Sequence, residues 1–204
     1  MEQVKRGFSW ASGPQGDRHL PSLARAAQAI KDEGAVALLQ IHDAGRMSDP
    51  RVIDWTPRSA SDIPAERPNA LQPRPMSQDE IMGSVAAFAA AARRAVQAGF
   101  DGVEIHGANT YLLQQFFSPH SNRREDDWGG DLQRRMRFPL AVARAVRRAV
   151  GDNVVVGYRF SPARSGKNRH HHRGHLRPRR CAMRTQSRLP APVLARLQPR
   201  LAAR

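Results

Sequence analysis

Five polar residues each lie at or just beyond the end of a short apolar run: Gln40, His106, Asn109, Tyr111 and Arg159. An imidazole, a carboxamide and a phenol can donate hydrogen bonds or protons, and a guanidinium carries a permanent positive charge. Groups of this kind at the ends of strands can stabilise negative charge on a bound molecule. The sequence therefore contains candidates for catalysis that depends on hydrogen-bond donors.

His106, Asn109 and Tyr111 are close enough in sequence to act on one substrate. If residues 107–111 curl as a helical turn, the side chains of His106 and Asn109 reach the same side and their N–H donors converge. Converging donors stabilise charge that develops on a carbonyl oxygen, and Tyr111 would supply a weak acid beside it. The spacing also fits, and taken alone favours, a structural role in which His106 and Asn109 cap the next helix and Tyr111 packs.

Arg159 and Gln40 raise a second question, because both lie in apolar strands. An arginine in such a strand is expected to be buried and to need an anionic or acceptor-rich partner. That partner is either a ligand or an internal salt bridge, for which Glu104 on the neighbouring strand is the candidate. A buried Gln40 amide is expected to meet either the edge of a flat heterocycle or neighbouring backbone.

The elements that position these residues alternate between helix and strand. A Ser-x-x-Glu capping box precedes the most regular apolar stripe, which indicates a helix that ends at Gly99. The apolar patterns predict helices at about 20–33, 77–99 and 131–150, and strands at 35–41, 100–106 and 153–160.

Strands separated by helices predict an α/β fold with a parallel sheet and right-handed crossovers. Long segments follow the first two strands, at 49–76 and 107–131, and the first of these contains six prolines. A loop of that length is typically functional or a lid. Ligands bind at the carboxyl ends of strands in such folds, so the site is expected there.

The net charge of +15 is concentrated near the C-terminus. Residues 163–204 contain 12 Lys and Arg and no Asp or Glu, which leaves the rest of the chain at only +3. This Arg/His-rich tail is expected to be disordered or translated out of frame. No aromatic residue lies between its arginines, so nucleic acid is not the favoured partner, although a nucleic-acid-associated protein acting through the tail is the alternative function.

Several classes of protein are excluded by composition. The only cysteine, Cys181, rules out an intrachain disulfide, and no metal site is predicted, because nothing fixes the geometry of the tail histidines 170–172 and 175. The N-terminus shows no signal peptide, and no apolar run is long enough to span a membrane. The expected location is the cytoplasm.

A longer stretch resembles a known family. Residues 98–116, AGFDGVEIHGANTYLLQQF, resemble the signature of the Old Yellow Enzyme family of NADH:flavin oxidoreductases. The resemblance covers about residues 20–162, is most specific over 98–139, and includes 40–46 (QIHDAGR) and 156–162 (VGYRFSP). Three departures are Asp43 in place of a usual His, Thr110 in place of a common Gly, and DLQR at 131–134.

The resemblance implies an FMN-binding TIM barrel, of which residues 1–162 would supply about strands 3–5. It implies that His106 and Asn109 bind the carbonyl oxygen of an α,β-unsaturated substrate and that Tyr111 protonates the α-carbon. Gln40 would bond the pyrimidine edge of FMN, and Arg159 would lie near N1 and the C2 oxygen. NADH or NADPH would be the reductant.

The same resemblance implies that the chain is incomplete. The strands before and after the matched three are expected but not found, and a frame shift near residue 162 or a pseudogene would explain the tail. A three-stranded parallel piece leaves sheet edges open, so weak or no FMN binding by this chain alone is expected. A non-functional fragment is therefore a further alternative.

Overall fold

The computed structural model describes residues 16–49, 51, 53 and 55–161, which form one α/β unit. The helices are α1 (Leu20–Asp32), α2 (Gln78–Gln97), α3 (Leu112–Phe117) and α4 (Leu132–Val150), and the strands are β1 (Leu38–Ile41), β2 (Arg58–Ser59), β3 (Arg74–Pro75), β4 (Gly102–Gly107) and β5 (Val155–Phe160). The predicted tail lies outside the described residues.

The main sheet has the order β1-β4-β5, and both pairings are parallel. Gln40 lies beside Glu104, and His106 lies beside Arg159. Because α2 joins β1 to β4 and α4 joins β4 to β5, the predicted β-α-β order and parallel sheet are confirmed.

Local sequence signals explain where the long helices begin. At α2 the Ser77 side chain accepts from the Glu80 backbone N–H, and the Glu80 carboxylate accepts in return from the Ser77 N–H. At α4 the Asp131 carboxylate accepts from the Arg134 N–H at 2.9 Å, and Gly151 at φ 73° follows the last residue. These caps satisfy backbone groups that a helix end leaves unpaired.

The core lies on one face of the sheet. Val103 and Ile105 on β4 are fully buried, and they pack in a cluster with Phe88 of α2 and with Phe138 and Val142 of α4. Burying a side chain of this size contributes roughly 1.5–3 kcal/mol. The strand alternation then places Glu104 and His106 on the opposite face, as the sequence predicted.

The segment between β1 and α2 is packed, although the sequence shows only an irregular, proline-rich stretch. Its strands β2 and β3 pair in parallel, and Ser59 and Ala60 are fully buried. Arg46, itself 3% exposed, donates to the carbonyl oxygens of Ile63 and Pro64 at 3.0 and 3.1 Å. These contacts hold the segment in place.

Two kinds of feature are absent from the part of the chain that the structure describes. No helix there is long and apolar enough to cross a membrane. No group of three or more His, Cys, Asp or Glu side chains is placed to hold a metal ion there.

Candidate active site

The candidate residues share one face and one end of the sheet. Gln40, Glu104 and His106 alternate with the buried core positions, and Arg159 is the register partner of His106. The loop that follows β4 carries Asn109 and Tyr111 to the same end. The structure therefore brings together the residues that the sequence singled out.

His106 and Asn109 approach each other, with the Nε2 and Nδ2 atoms 3.5 Å apart. The backbone between them is not the right-handed helical turn that was considered, because Asn109 and Thr110 have φ values of 53° and 62°. Two successive left-handed residues reverse the chain and return Asn109 towards the strand. Nitrogens at this spacing can both reach one oxygen placed at hydrogen-bond distance from each.

The capping role for His106 and Asn109 is not what the structure shows. The residue that precedes α3 is Tyr111, and this helix start has no side-chain cap hydrogen bond. The Asn109 backbone N–H instead donates to the Ser161 hydroxyl at 3.3 Å. Neither side chain therefore caps α3.

Tyr111 lies among rings, and one of them was not predicted. Its ring centroid is 5.1 Å from that of His106 and 5.1 Å from that of His42. The two histidine rings are 6.0 Å apart and nearly perpendicular. His42 was not among the predicted site residues, although the period-two alternation of β1 places it on the same face as Gln40 and could have indicated it.

Both histidines are held towards the neutral form. Burial lowers the pKa of His42 below its ordinary value, and the Asp43 carboxylate opposes this only partly. Burial also lowers the pKa of His106, and the charges of His42 and Arg159 add to the effect. His106 is 3% exposed, and its Nδ1 atom has no hydrogen-bond partner in the described part of the chain.

Arg159 and Gln40 both bond to Glu104, which corrects one expectation. The Glu104 Oε1 atom accepts from Gln40 Nε2 at 2.6 Å and from Arg159 Nε at 2.8 Å. The salt bridge considered for Arg159 is therefore present. Burial was wrongly expected for both residues, since Gln40 is exposed and the Arg159 side chain is 54% exposed. The strand face that carries them is open rather than packed.

Gln115 is a positioning residue that the sequence did not reveal. Its amide is 1% exposed and donates to the carbonyl oxygens of Ala44 and Thr110, at 3.0 and 2.6 Å. Its Oε1 accepts from the Arg46 N–H and the Ser59 hydroxyl. One side chain thus ties the loop after β1, the loop after β4 and β2 together, which no local pattern in the sequence would indicate.

The Asp43 departure has a local explanation. Its carboxylate accepts from the Gly45 N–H at 2.8 Å, at the start of the short 3-10 helix Gly45–Met47. Its carbonyl oxygen accepts from the Leu112 N–H at 2.9 Å. Gly45 has φ 54°, and a Cβ there would collide with the Gln115 amide. Asp43 therefore shapes the loop rather than the open face of the sheet.

Most of the chain matches one known family. Residues 3–177 match the NADH:flavin oxidoreductase / NADH oxidase family. The chain belongs to this family of oxidoreductases, of the Old Yellow Enzyme type. The match runs past residue 162, so the division into a 1–162 domain and a 163–204 tail stays a prediction.

Individual relatives agree with the family assignment. The chain is 49% identical over 160 residues to the NADH:fumarate oxidoreductase of Klebsiella pneumoniae (strain 342), covering 76% of this chain and 17% of that protein. It is 38% identical over 181 residues to the "Probable flavin mononucleotide-dependent alkene reductase" of Leishmania infantum, covering 80% and 49%. The chain thus spans less than half the length of each.

A solved structure of morphinone reductase in complex with tetrahydroNAD superposes with a TM-score of 0.65 at 33% identity, over 72% of this chain and 44% of that one. Such enzymes are TIM barrels, and the superposition covers only part of one. The α/β class and the partial (β/α)8 barrel are confirmed by this likeness and by the parallel strands.

Proposed function

We propose that this chain carries the substrate-binding edge of an FMN-dependent ene-reductase of the Old Yellow Enzyme type. The single observation that supports this most is the pair of nitrogens, His106 Nε2 and Asn109 Nδ2, 3.5 Å apart at the end of β4. A pair of donors at that spacing fits one carbonyl oxygen. The reaction would be the reduction of a C=C bond conjugated to that carbonyl.

The described residues fit a flavin. Gln40 and Arg159 would hold it, because an amide and a guanidinium on one open strand face match the carbonyl and N–H groups of a pyrimidine edge. The sheet is clear beside Glu104, since Gly157 has no side chain there and a Cβ would meet nothing nearer than 3.9 Å. The chemistry that FMN would supply here is the transfer of a hydride, taken from NADH or NADPH, to the β-carbon of the alkene.

The chain's own residues would prepare the substrate for that step. His106 and Asn109 would donate hydrogen bonds to its carbonyl oxygen, which draws electron density away from the β-carbon. The Nδ1 atom of His106 has no partner among the described residues, so no hydrogen bond at Nδ1 fixes the tautomer, and Nε2 can carry the proton that this role requires. Tyr111, whose ring packs on that of His106, would donate its hydroxyl proton to the α-carbon.

The names of the relatives support the substrate class. Fumarate, in the name of one relative, contains a C=C bond conjugated to carboxyl groups, and another relative is named an alkene reductase. We therefore place an α,β-unsaturated carbonyl or carboxyl compound as the small-molecule substrate of this protein. A chain with one cysteine and no candidate membrane helix among its described residues is assigned to the cytoplasm as part of this proposal.

A flavin titration of the purified chain tests the proposal. FMN fluorescence should change saturably at excess FMN, with weak affinity, because β1 and β5 have unpaired outer edges in the described sheet. NADH should then bleach the bound flavin, and an unsaturated carbonyl compound should restore its colour.

The His106→Ala variant separates the two halves of that cycle. It should keep flavin reduction by NADH but slow the alkene step roughly 100-fold or more, the usual effect of losing one such donor. No saturable flavin binding by the wild-type chain would favour the non-functional fragment. Equal loss of both half-reactions in His106→Ala would remove the role given to His106.

A further inference from the structure

Glu104 lies between Gln40 and Arg159, the two residues proposed to hold FMN. Its Oε1 atom accepts from Gln40 on one neighbouring strand and from Arg159 on the other, at 2.6 and 2.8 Å. The Arg159 Nη2 atom also approaches Oε2 at 3.4 Å. One carboxylate on the middle strand thus joins the two residues proposed to hold FMN.

These bonds determine which atoms Gln40 and Arg159 can offer to a ligand. A glutamine amide has one NH₂ group and one oxygen, so an Nε2 atom bonded to Glu104 leaves Oε1 directed away from that carboxylate. Arg159 commits Nε and Nη2 to Glu104 and keeps Nη1 for a partner. Gln40 therefore presents an acceptor, and Arg159 a donor, beyond their shared carboxylate.

The pattern suits the pyrimidine edge of a flavin, where an N–H group lies between two carbonyl oxygens. An acceptor is needed for the N–H, and donors are needed for the carbonyls. A Gln40 amide turned the other way would set its NH₂ group against that N–H. The orientation of this amide consequently decides whether the edge is recognised, and Glu104 fixes the orientation.

The charge of Glu104 matters as well as its shape. The hydrogen bond from Arg159 is the main reason that the pKa of Glu104 lies below its ordinary value, so the carboxylate stays ionised near neutral pH. An ionised Glu104 partly offsets the positive charge of Arg159. Any group bound beside the pair experiences a weaker positive field than a lone arginine would create.

We propose that Glu104 is a positioning residue for the flavin: it selects the atoms that Gln40 and Arg159 present and moderates the charge that the reduced ring meets. This inference rests on the proposed function. If Glu104 formed only a salt bridge that stabilises the sheet, removing its charge would leave the flavin affinity and potential unchanged. The loss would also cost little folding free energy, because the Arg159 side chain is 54% exposed.

The Glu104→Gln variant tests this, with Asp127→Asn as the matched control. Asp127 also forms a carboxylate–arginine pair, with Arg137 at 2.7 Å, but on the segment before α4 and on α4 itself. Three quantities are measured on each protein: the FMN dissociation constant at excess flavin, the midpoint potential of the bound flavin, and the thermal unfolding midpoint.

Glu104→Gln should weaken FMN binding roughly tenfold, because a charge-assisted contact that orients two ligating side chains is lost. The midpoint potential should become more positive, since the Arg159 charge is no longer offset and reduced flavin is anionic. The unfolding midpoint should barely change. Asp127→Asn should leave the flavin affinity and potential at wild-type values.

A second variant covers the possibility that the amide at position 104 disturbs the strand. Glu104→Asp keeps the charge but shortens its reach by one methylene, so affinity should fall while the potential stays closer to the wild-type value than in Glu104→Gln. Unchanged affinity and potential in both variants would overturn this inference while wild-type FMN binding still upheld the proposed function. A wild-type chain that binds no FMN would overturn both.

Discussion

At the scale of single residues, the proposed chemistry depends on the side chains of His106 and Asn109. Their Nε2 and Nδ2 atoms lie 3.5 Å apart, and Asn109 and the following Thr110 both have left-handed backbone. Asparagine tolerates positive φ better than most residues, whereas Thr110, a β-branched residue, adopts it at a cost. The strain is therefore located at the proposed substrate contact.

The lowered pKa values of His42 and His106 predict a stability that depends on pH. The unfolded chain takes up protons near 6.5, the ordinary value for histidine, before the folded chain does. Stability from these groups is thus complete above about pH 6.5 and is lost as pH falls towards the folded pKa values. Each group contributes a slope of at most about 1.4 kcal/mol per pH unit.

Thermal unfolding midpoints measured between pH 8 and pH 5.5 check this expectation. The double variant His42→Gln/His106→Gln removes both titrating rings, so its midpoint should fall less steeply below pH 6.5 than that of the wild type. Parallel curves for the two proteins would show that the pH dependence arises elsewhere.

Much of the site could be predicted from sequence because its residues cluster in one strand and the loop after it. His106, Asn109 and Tyr111 span six positions, and the strand period alone places Glu104 and His106 on one face. The state of Gln40 and Arg159 could not be predicted in the same way. Their exposure depends on whether further strands lie beside β1 and β5. The tertiary structure decides this, and the pattern within each strand does not reveal it.

At the scale of elements, the helices and strands were predicted well where local signals were strong. The capping box of α2 and the Asp131 cap of α4 appear as the sequence indicated. The β2–β3 pair was not predicted, since strands of two residues leave no period to detect. The same limit hid Gln115, whose partners lie as far as 71 residues away in sequence.

Gln115→Leu tests whether this amide holds the two strand-end loops together. The substitution removes the hydrogen bonds that the Gln115 side chain makes to Ala44, Thr110, Arg46 and Ser59, although the Ala44 carbonyl oxygen still accepts from the Met47 N–H. Buried groups that lose a hydrogen bond cost about 1–3 kcal/mol each before relaxation, so a loss of roughly 3 kcal/mol in unfolding free energy is expected.

Urea denaturation measures that loss, and Gln133→Leu is the control because Gln133 is exposed on α4. The control should change stability by less than about 0.5 kcal/mol. Amide hydrogen exchange should also accelerate over residues 107–111 in Gln115→Leu. A variant as stable as the control, with unaltered exchange in that loop, would show that the loops hold their positions without Gln115.

At the scale of the whole molecule, the described sheet has two outer edges. β1 pairs only with β4 and β5 only with β4 among the described residues. Two large apolar side chains lie on these strands and are exposed, Leu38 at 46% and Phe160 at 67%. A parallel sheet is normally covered on both faces, and uncovered strand edges favour pairing with another chain.

Self-association of the purified chain is the consequence, and sedimentation velocity over a concentration series measures it. Leu38→Lys and Phe160→Lys place a charge on each edge strand and should shift the weight-average sedimentation coefficient towards the monomer. Met82→Lys is the control, because Met82 is 48% exposed but lies on α2 and not on an edge strand. If Met82→Lys reduces association as much as the edge variants do, contacts between chains are general hydrophobic contacts. If only the edge variants do so, the open edges of this partial barrel are the surfaces that bring chains together.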